Sequence, residues 1–566
     1  MCYMRLARFR PLGRRKAQTR LTRSIAMKIN DFIRKTRTLF FTLTLVCGVM
    51  SSGWAATYYV DSVSGNDANT GTEAAPWKSL TKVNSTAFKS GDYIYFKCGQ
   101  TWSAALIPVS GSSAGYVTYG SYGSGAKPVI RNFNATGKMY VKLQGVKLSS
   151  TTADYPLYIN KSSYIWVENC EIYAESGSTA YAAARIYMDS HHNKIVNCVI
   201  EHRNFNRQND ALNLKYNANY NLIEGNKIGT ATHYALTLEG SSSAYPGYVC
   251  SYNVIRKNTI NNPEGAVVEL QSNANRNVFE NNTVTGGKNT SFCANQPRSF
   301  KSVSQYNIIR GNVIYDNLES AGSGISSQAY QYNTDPANNV VGNRIYNNII
   351  KGIYASPIIL DNYEPTVCKV ADNVFKNNII SGNGVSNGLQ LIVTANSNIT
   401  DNYFQNNLFY KYGTTNVLKV KGVSYSVASI QSTSSTYFSG NIQKEPAIGT
   451  DNNLLSGSPC IDAGGFLTTV TSSSGSGNII SLADVKYFSD GFGVAEGDKI
   501  MVGNALATIT SIDYSTNKVV LKDPISWQQG ASVSLPFAGT KPDIGAFEVA
   551  DLSSTILPPV NLKVVE

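Results

Sequence analysis

Asp189, Lys215, Glu239 and Glu269 each fall within or at the end of a short alternating segment: RIYMD (185–189), ALNLK (211–215), ALTLE (235–239) and VVELQ (267–271). GISSQ (324–328) and SPIILD (356–361) continue the series. Successive side chains of a strand point to opposite faces. Ile186/Met188, Leu212/Leu214, Leu236/Leu238 and Val268/Leu270 therefore face inward, and the residues between them face outward. With the segments side by side, one outward column reads Tyr187, Asn213, Thr237, Glu269, Ser326, Ile359. The next reads Asp189, Lys215, Glu239, Gln271, Gln328, Asp361. Four charges then gather on one sheet face. Asp189, Glu239 and Glu269 offer the carboxylate oxygens that Ca2+ takes, and Lys215 is a candidate base. Lys215 would lie one strand spacing, about 4.8 Å, from both Asp189 and Glu239. Two such neighbours stabilise an ammonium and make it a poor base, whereas bound calcium would neutralise them and reverse that effect. The bland alternative is a solvent-facing acid–base–acid ladder that helps fix strand register.

Other polar residues surround this face. Arg185 and Asn213 share the outward direction, and His233 begins the Glu239 segment with the same parity. Arg203 and Arg207 sit in the following loop, where they would either clamp carboxylates in bidentate fashion or simply solvate the loop. There is no phosphate-binding Walker loop, no dinucleotide glycine fingerprint after a strand and no HExxH.

The elements that must position these residues are set by a repeat. Eight segments fit the frame Asn-x-apolar-x-x-(Asn/Cys)-x-apolar at intervals of 24 to 35 residues. They start at Asn193, Asn221, Asn253, Asn277, Asn307, Asn338 (NNVVGNRI), Asn373 and Asn402; IWVENCEI from Ile165 lacks only the first Asn. A fixed short period means stacked supersecondary units. Alternating Ile, Val and Phe with Gly and Asn corners makes those units strand and turn. Stacking coil on coil aligns Cys170, Cys198, Asn226, Asn258, Asn282, Asn312, Asn343, Asn378 and Asn407 in one column. Stacked amides can hydrogen-bond up such a column, and Asn tolerates the left-handed conformation of a sharp corner. Residues in register on parallel neighbours suit a disulfide poorly, so Cys170 and Cys198 read as free, packed thiols.

This pattern resembles the right-handed parallel β-helix family, the fold of pectate lyases and many other carbohydrate-active proteins, over roughly residues 130–450. Tyr58–Leu80 (YYVDSVSGNDANTGTEAAPWKSL) is similar to the opening segment of such proteins, and GSPCIDAG (457–464) and PDIGAFE (542–548) to their closing segments. The resemblance implies an all-β solenoid with its outer strand face as a substrate groove. Acidic polysaccharide cleaved by β-elimination is then the leading expectation. Lys215 would be the base, Asp189, Glu239 and Glu269 would hold Ca2+, and Arg185, Asn213, His233, Arg203 and Arg207 would bind substrate. Two alternatives stay open: a non-catalytic glycan-binding or adhesion protein, and an inverting glycoside hydrolase using acids on alternate strands such as Asp189 and Glu239.

Composition bounds the partners. The chain has 566 residues, 15% charged and 42% hydrophobic, with 35 Tyr, which is unlike a disordered chain. Its formal net charge of +12 is concentrated at the start. Residues 1–26 hold eight Arg or Lys and no acid, and read as an over-called start ahead of Met27. Residues 27–55 carry a basic stretch, the apolar run Leu39–Met50 and SSGWA, the form of a secretory signal; the run is too short to span a membrane. Without both segments the charge falls to about +1, which removes the argument for a nucleic-acid partner. The expected protein is secreted, periplasmic or on the cell surface. Seven of the nine Cys follow residue 55, without CxxC spacing. The expected organisation is an N-terminal capping region (56–130), the β-helix (131–465), a small inserted β module (466–540) and a closing segment with a linker-like tail (541–566).

Overall fold

The computed structural model describes residues 55–549 apart from residues 207, 243–244, 272, 287–289, 294–302, 316–322, 330–338, 354–355, 364, 367, 383–388 and 397. The expected start and signal segments up to residue 54, Arg207, Asn338 and the tail from residue 550 lie outside the described residues.

Each coil contributes three short strands in turn, and each strand pairs in parallel with its counterpart one coil on. One face is a 14-stranded sheet that begins at Thr57–Val60 and ends at Phe438–Ser439. A second run stacks Lys147–Ser150, Glu171–Ala174, Val199–His202, Lys227–Gly229 and their successors to Leu408–Phe409. The third run carries the charged residues. It contains β1 (Leu157–Asn160), β2 (Ala182–Tyr187), β3 (Asp210–Lys215), β4 (Tyr234–Glu239) and β5 (Ala266–Gln271). It then continues through Thr290–Cys293, Ser323–Ala329, Ile358–Asn362 and Leu391–Val393 to Leu418–Val420. Parallel pairing already starts with Thr57–Val60 against Tyr93–Lys97, so the coils begin well ahead of residue 130. A six-residue helix, Leu80–Ser85, lies among these first strands, N-capped by Ser79.

The core is a stack of like residues. Ile172, Ile200, Ile228, Ile260, Val284, Ile314, Ile350, Ile380 and Phe409 are register partners on successive strands, and all are buried. Branched aliphatic side chains repeated at one position pack closely at the strand spacing.

Two asparagine ladders hold the corners. One runs Asn226, Asn258, Asn282, Asn312, Asn348, Asn378, Asn407, Asn441, with each Nδ2 donating to the next Oδ1 at 2.8–3.0 Å. Cys198 and Cys170 extend it as free thiols. The second joins the first Asn of each frame, from Asn193 through Asn221, Asn253, Asn277, Asn307, Asn343 and Asn373 to Asn402. Asn343 therefore belongs to the second ladder, and Asn348 takes the place expected for it. NNVVGNRIYNNII contains two overlapping frames five residues apart, and the strand Arg344–Tyr346 selects the later one. The left-handed residue of each corner is the one before the ladder Asn. Asn197, Gly225, Lys257, Asn281, Gly311, Asn347 and Asn377 all have φ between 52° and 68°.

Residues 468–534 form a separate six-stranded antiparallel sheet. It packs on the 14-stranded face through Val278, Ile308, Tyr346 and Val374. Arg310 reaches Asp498 at 2.7 Å and Arg344 reaches Asp484 at 2.6 Å. The closing segments on either side of this module meet, with the Ile544 N–H donating to the Cys460 carbonyl at 2.9 Å and the Asp462 N–H to Asp543 Oδ1 at 2.7 Å.

Candidate functional site

Strands β3, β4 and β5 lie side by side, and their register fixes which outward residues align. Arg185, Asn213, Thr237 and Glu269 form one column. Tyr187, Lys215, Glu239 and Gln271 form the next. The expected columns were therefore displaced by two residues on β2: Tyr187, not Asp189, stands opposite Lys215. A two-residue slip keeps every side chain on its face, so alternation alone does not detect it. Ala184 fills the inward position between Leu157 and Leu212. Met188 and Asp189 then turn through left-handed backbone, φ 39° and 46°, and end the strand. Asp189 is exposed at that corner and accepts from Asn217 Nδ2 at 2.9 Å.

The remaining charged residues are brought together with one that the sequence reading omitted, Asp210. It opens β3 and is buried. Its Oδ1 lies 2.9 Å from His233 Nδ1, and its Oδ2 accepts from Asn213 Nδ2 at 3.1 Å. Burial works against its charge, yet His233, the Lys215 ammonium and Asn213 outweigh burial and hold the Asp210 carboxyl below the usual range. Its signal in the sequence was an acid at the inward parity of Leu212 and Leu214, one place before Ala211. Lys215 Nζ is 2.6 Å from Glu239 Oε2, and the Tyr216 hydroxyl donates to Glu239 Oε1 at 3.0 Å. Burial opposes the Lys215 charge, but Glu239 and Asp210 hold the ammonium well above its ordinary range.

Glu269 differs from all of these. It is fully buried, and neither carboxyl oxygen has a hydrogen-bond partner of good geometry among the described residues. Burial pushes the carboxyl up to about 7; His233 and Gln271 oppose this in part, and the Asp210 charge reinforces it. The orphaned carboxyl is not alone. Asn213 Oδ1 and Thr237 Oγ1 in the same column, and Ser326 Oγ further along it, are buried without a partner among the described residues. Native proteins leave few buried polar groups unsatisfied, so a run of them on one column makes it a candidate place for a polar ligand or water.

Arg203 points elsewhere. Its guanidinium pairs with Glu201 at 2.7 Å and Glu175 at 3.3 Å and stacks 3.6 Å from the Tyr173 ring, all in the second run of strands. Arg207 lies outside the described residues. Among the described residues, no group of three His, Cys, Asp or Glu side chains is arranged to hold a metal ion; of the three expected calcium ligands, Glu239 and Glu269 remain on adjacent strands and Asp189 does not join them.

Comparison with known proteins gives four likenesses. Residues 131–301 match the family model of the right-handed β-helix region. A lacto-N-biosidase of Bifidobacterium longum subsp. longum is 37% identical over 134 residues, 22% of this chain and 8% of that protein; the match thus spans less than a tenth of the relative's length. Among solved structures, a PL6 family polysaccharide lyase from Pseudopedobacter saltans aligns with 15% identity and a TM-score of 0.48 over 67% of this chain and 96% of its own. A GH136 lacto-N-biosidase from Eubacterium ramulus aligns with 13% identity and a TM-score of 0.34, covering 75% and 72%. With about ten stacked parallel coils and a family match across the strands that carry the cluster, the chain is a right-handed parallel β-helix repeat protein.

Proposed function

We propose that this protein hydrolyses glycosidic bonds of an extracellular glycan, with Glu269 as proton donor and the Asp210–His233 pair as the basic partner. The observation that carries this reading is the Glu269 carboxyl, buried, unpartnered among the described residues and pushed up to about 7 beside an acid held ionised. The two carboxyls are driven apart by their surroundings, one towards the acid form and the other towards the ionised form that partners His233. Protonated Glu269 gives its proton to the leaving glycosidic oxygen as the bond to the anomeric carbon breaks. Water adds to that carbon and loses a proton to His233. Asp210, hydrogen-bonded to Nδ1 of the same ring, stays ionised and steadies the imidazolium. Proton exchange with solvent then returns Glu269 to its acid form.

The 37% identity to a lacto-N-biosidase over 134 residues supports a carbohydrate substrate. β-Elimination, the leading expectation from sequence, needs a free base for the C5 proton; Lys215 is committed to Glu239 and held charged, so hydrolysis fits better, and it asks nothing of calcium.

The test is to incubate the chain with neutral and uronate glycans and follow reducing ends together with the ultraviolet absorbance of unsaturated sugar. Hydrolysis gives new reducing ends without the chromophore. Appearance of the chromophore would make the protein a lyase, and no product from any glycan would return this face to a binding role.

A further inference from the structure

The two site columns do not stop at Lys215 and Asn213. Towards the N-terminus one continues through Arg185 and Tyr158 to Asn134, the other through Tyr187 and Asn160 to Thr136. These positions are aromatic and cationic where the catalytic ones are acidic. Tyr155 and Tyr158 stack with ring centres 5.0 Å apart. The Arg185 guanidinium lies 3.9 Å over the Tyr187 ring and 5.1 Å over Tyr155 and donates to the Tyr155 hydroxyl at 2.5 Å. Tyr187, Tyr216 and Tyr245 continue the aromatic surface, with Tyr216 and Tyr245 ring centres 4.5 Å apart. Since Tyr216 also donates to Glu239, this surface is joined to the carboxylate cluster.

Two further facts distinguish the patch from ordinary packing. Arg185 Nε and Asn160 Oδ1 are buried without a partner among the described residues, and no carboxylate among them pairs with Arg185. Tyr158, Arg185 and Tyr187 are half-buried, so the patch stays open to a ligand on one side. Ring faces beside unpaired donors and acceptors suit a sugar, whose C–H face is apolar and whose edge is hydroxylated.

We infer that Tyr158, Arg185 and Tyr187 form a distal sugar subsite, so that the substrate is an oligosaccharide of at least four units lying along the solenoid axis. Arg185 is three strand spacings from Glu269, about 14 Å, roughly the reach of three linked sugars. The inference rests on the hydrolytic reading only for where the cleaved bond lies. Tyr158 and Arg185 are positioning residues: they hold the chain in register and touch no reacting atom.

The experiment measures binding without turnover, by calorimetry on the Glu269→Gln chain. The probes are neutral β-linked oligosaccharides and oligogalacturonates of two to six units. Affinity should rise by about tenfold or more between two and five units in one series. Tyr158→Ala and Arg185→Ala should each cancel that rise and leave the affinity for two units unchanged. Tyr158→Phe keeps the ring and should keep the rise, which separates recognition from a folding defect. Affinity independent of length, or a rise that survives both alanine variants, would overturn the subsite. If the rise is found but the parent chain cleaves nothing, the hydrolytic reading fails and the subsite stands; if the parent cleaves but no rise is found, the subsite alone fails.

Discussion

Two charged faces run along this solenoid, and the one that holds Glu269 carries the proposed site. On the 14-stranded face, Glu224, Arg256, Glu280 and Arg310 are register neighbours. Arg256 lies 3.0 Å from Glu224 and 3.9 Å from Glu280. Arg310 donates to Glu280 at 2.9 Å and to Asp498 of the inserted module at 2.7 Å. Acid and base alternate along it, each charge has an opposite neighbour although Arg256 Nε lacks a hydrogen bond of good geometry among the described residues, and the last base ties the module to the coils. The face that carries Glu269 and its neighbouring column is no richer in charge, but its groups are not all matched. Lys215 and Glu239 satisfy each other, while Glu269, Asn213 and Thr237 keep buried atoms without partners. A paired column holds register; an unpaired one stores unfavourable desolvation that the fold tolerates and a ligand can relieve. On a β-helix, a row of charges is weak evidence of function, and a row of unsatisfied polar atoms is stronger.

The comparison is sharpened most by Glu269→Gln. Losing the proton donor should lower turnover by about 100- to 10,000-fold. The same change should stabilise the fold at high pH. The folded carboxyl is raised from its ordinary 4.5 to about 7, so between those values the native chain holds a proton that the unfolded chain has released. Stability therefore falls as pH rises from about 4.5 to about 7 and stays reduced above. The variant has no such loss and should exceed the parent at pH 8 by about 2–3 kcal/mol in chemical denaturation. Equal stabilities at pH 8 would mean the carboxyl is not desolvated.

Arg310→Met breaks the paired column instead. It leaves Glu280 and Asp498 without their cation and should cost about 3 kcal/mol, with turnover at 25 °C unchanged. Loss of activity in the still-folded variant would join the two columns functionally. Asn282→Leu is next. Its neighbours Asn258 and Asn312 each lose a bond of 3.0 Å inside the ladder, at a cost of about 2 kcal/mol; a neutral melt would show that water replaces those bonds. Smallest is Asp189→Asn. The residue is exposed at a corner, so stability should move by less than about 0.5 kcal/mol, and activity should stay at the parent level. A large loss of activity would restore Asp189 to the site.

Most of the architecture was legible because it repeats. Asn221, Asn253 and Asn277 could be aligned by spacing alone, and inward Leu212, Leu236 and Val268 by alternation. The errors came where repetition gives two answers. Asn343 fits one frame and the next equally well on paper, and only strand pairing chooses between them. The slip that placed Asp189 beside Lys215 preserves inside and outside, so nothing in the hydropathy pattern opposes it. Glu269 was visible as an outward acid, but not as an unpartnered one, because satisfaction depends on what covers the strand. Asp210 was missed because the aligned segment starts at Ala211, one residue after it. Its role comes from His233, 23 residues away, a contact that only stacking creates.

Glu269 should keep its proton well above the usual carboxylate range while Asp210 loses its own below that range. Carbon-13 NMR of side-chain carboxyls reads this directly, with the Glu269 resonance assigned by its absence in Glu269→Gln. The expected result is a midpoint near 7 for Glu269 and an Asp210 resonance that titrates below the usual carboxylate range. A Glu269 midpoint at or below 4.5 would contradict it and make the column a second charged ladder.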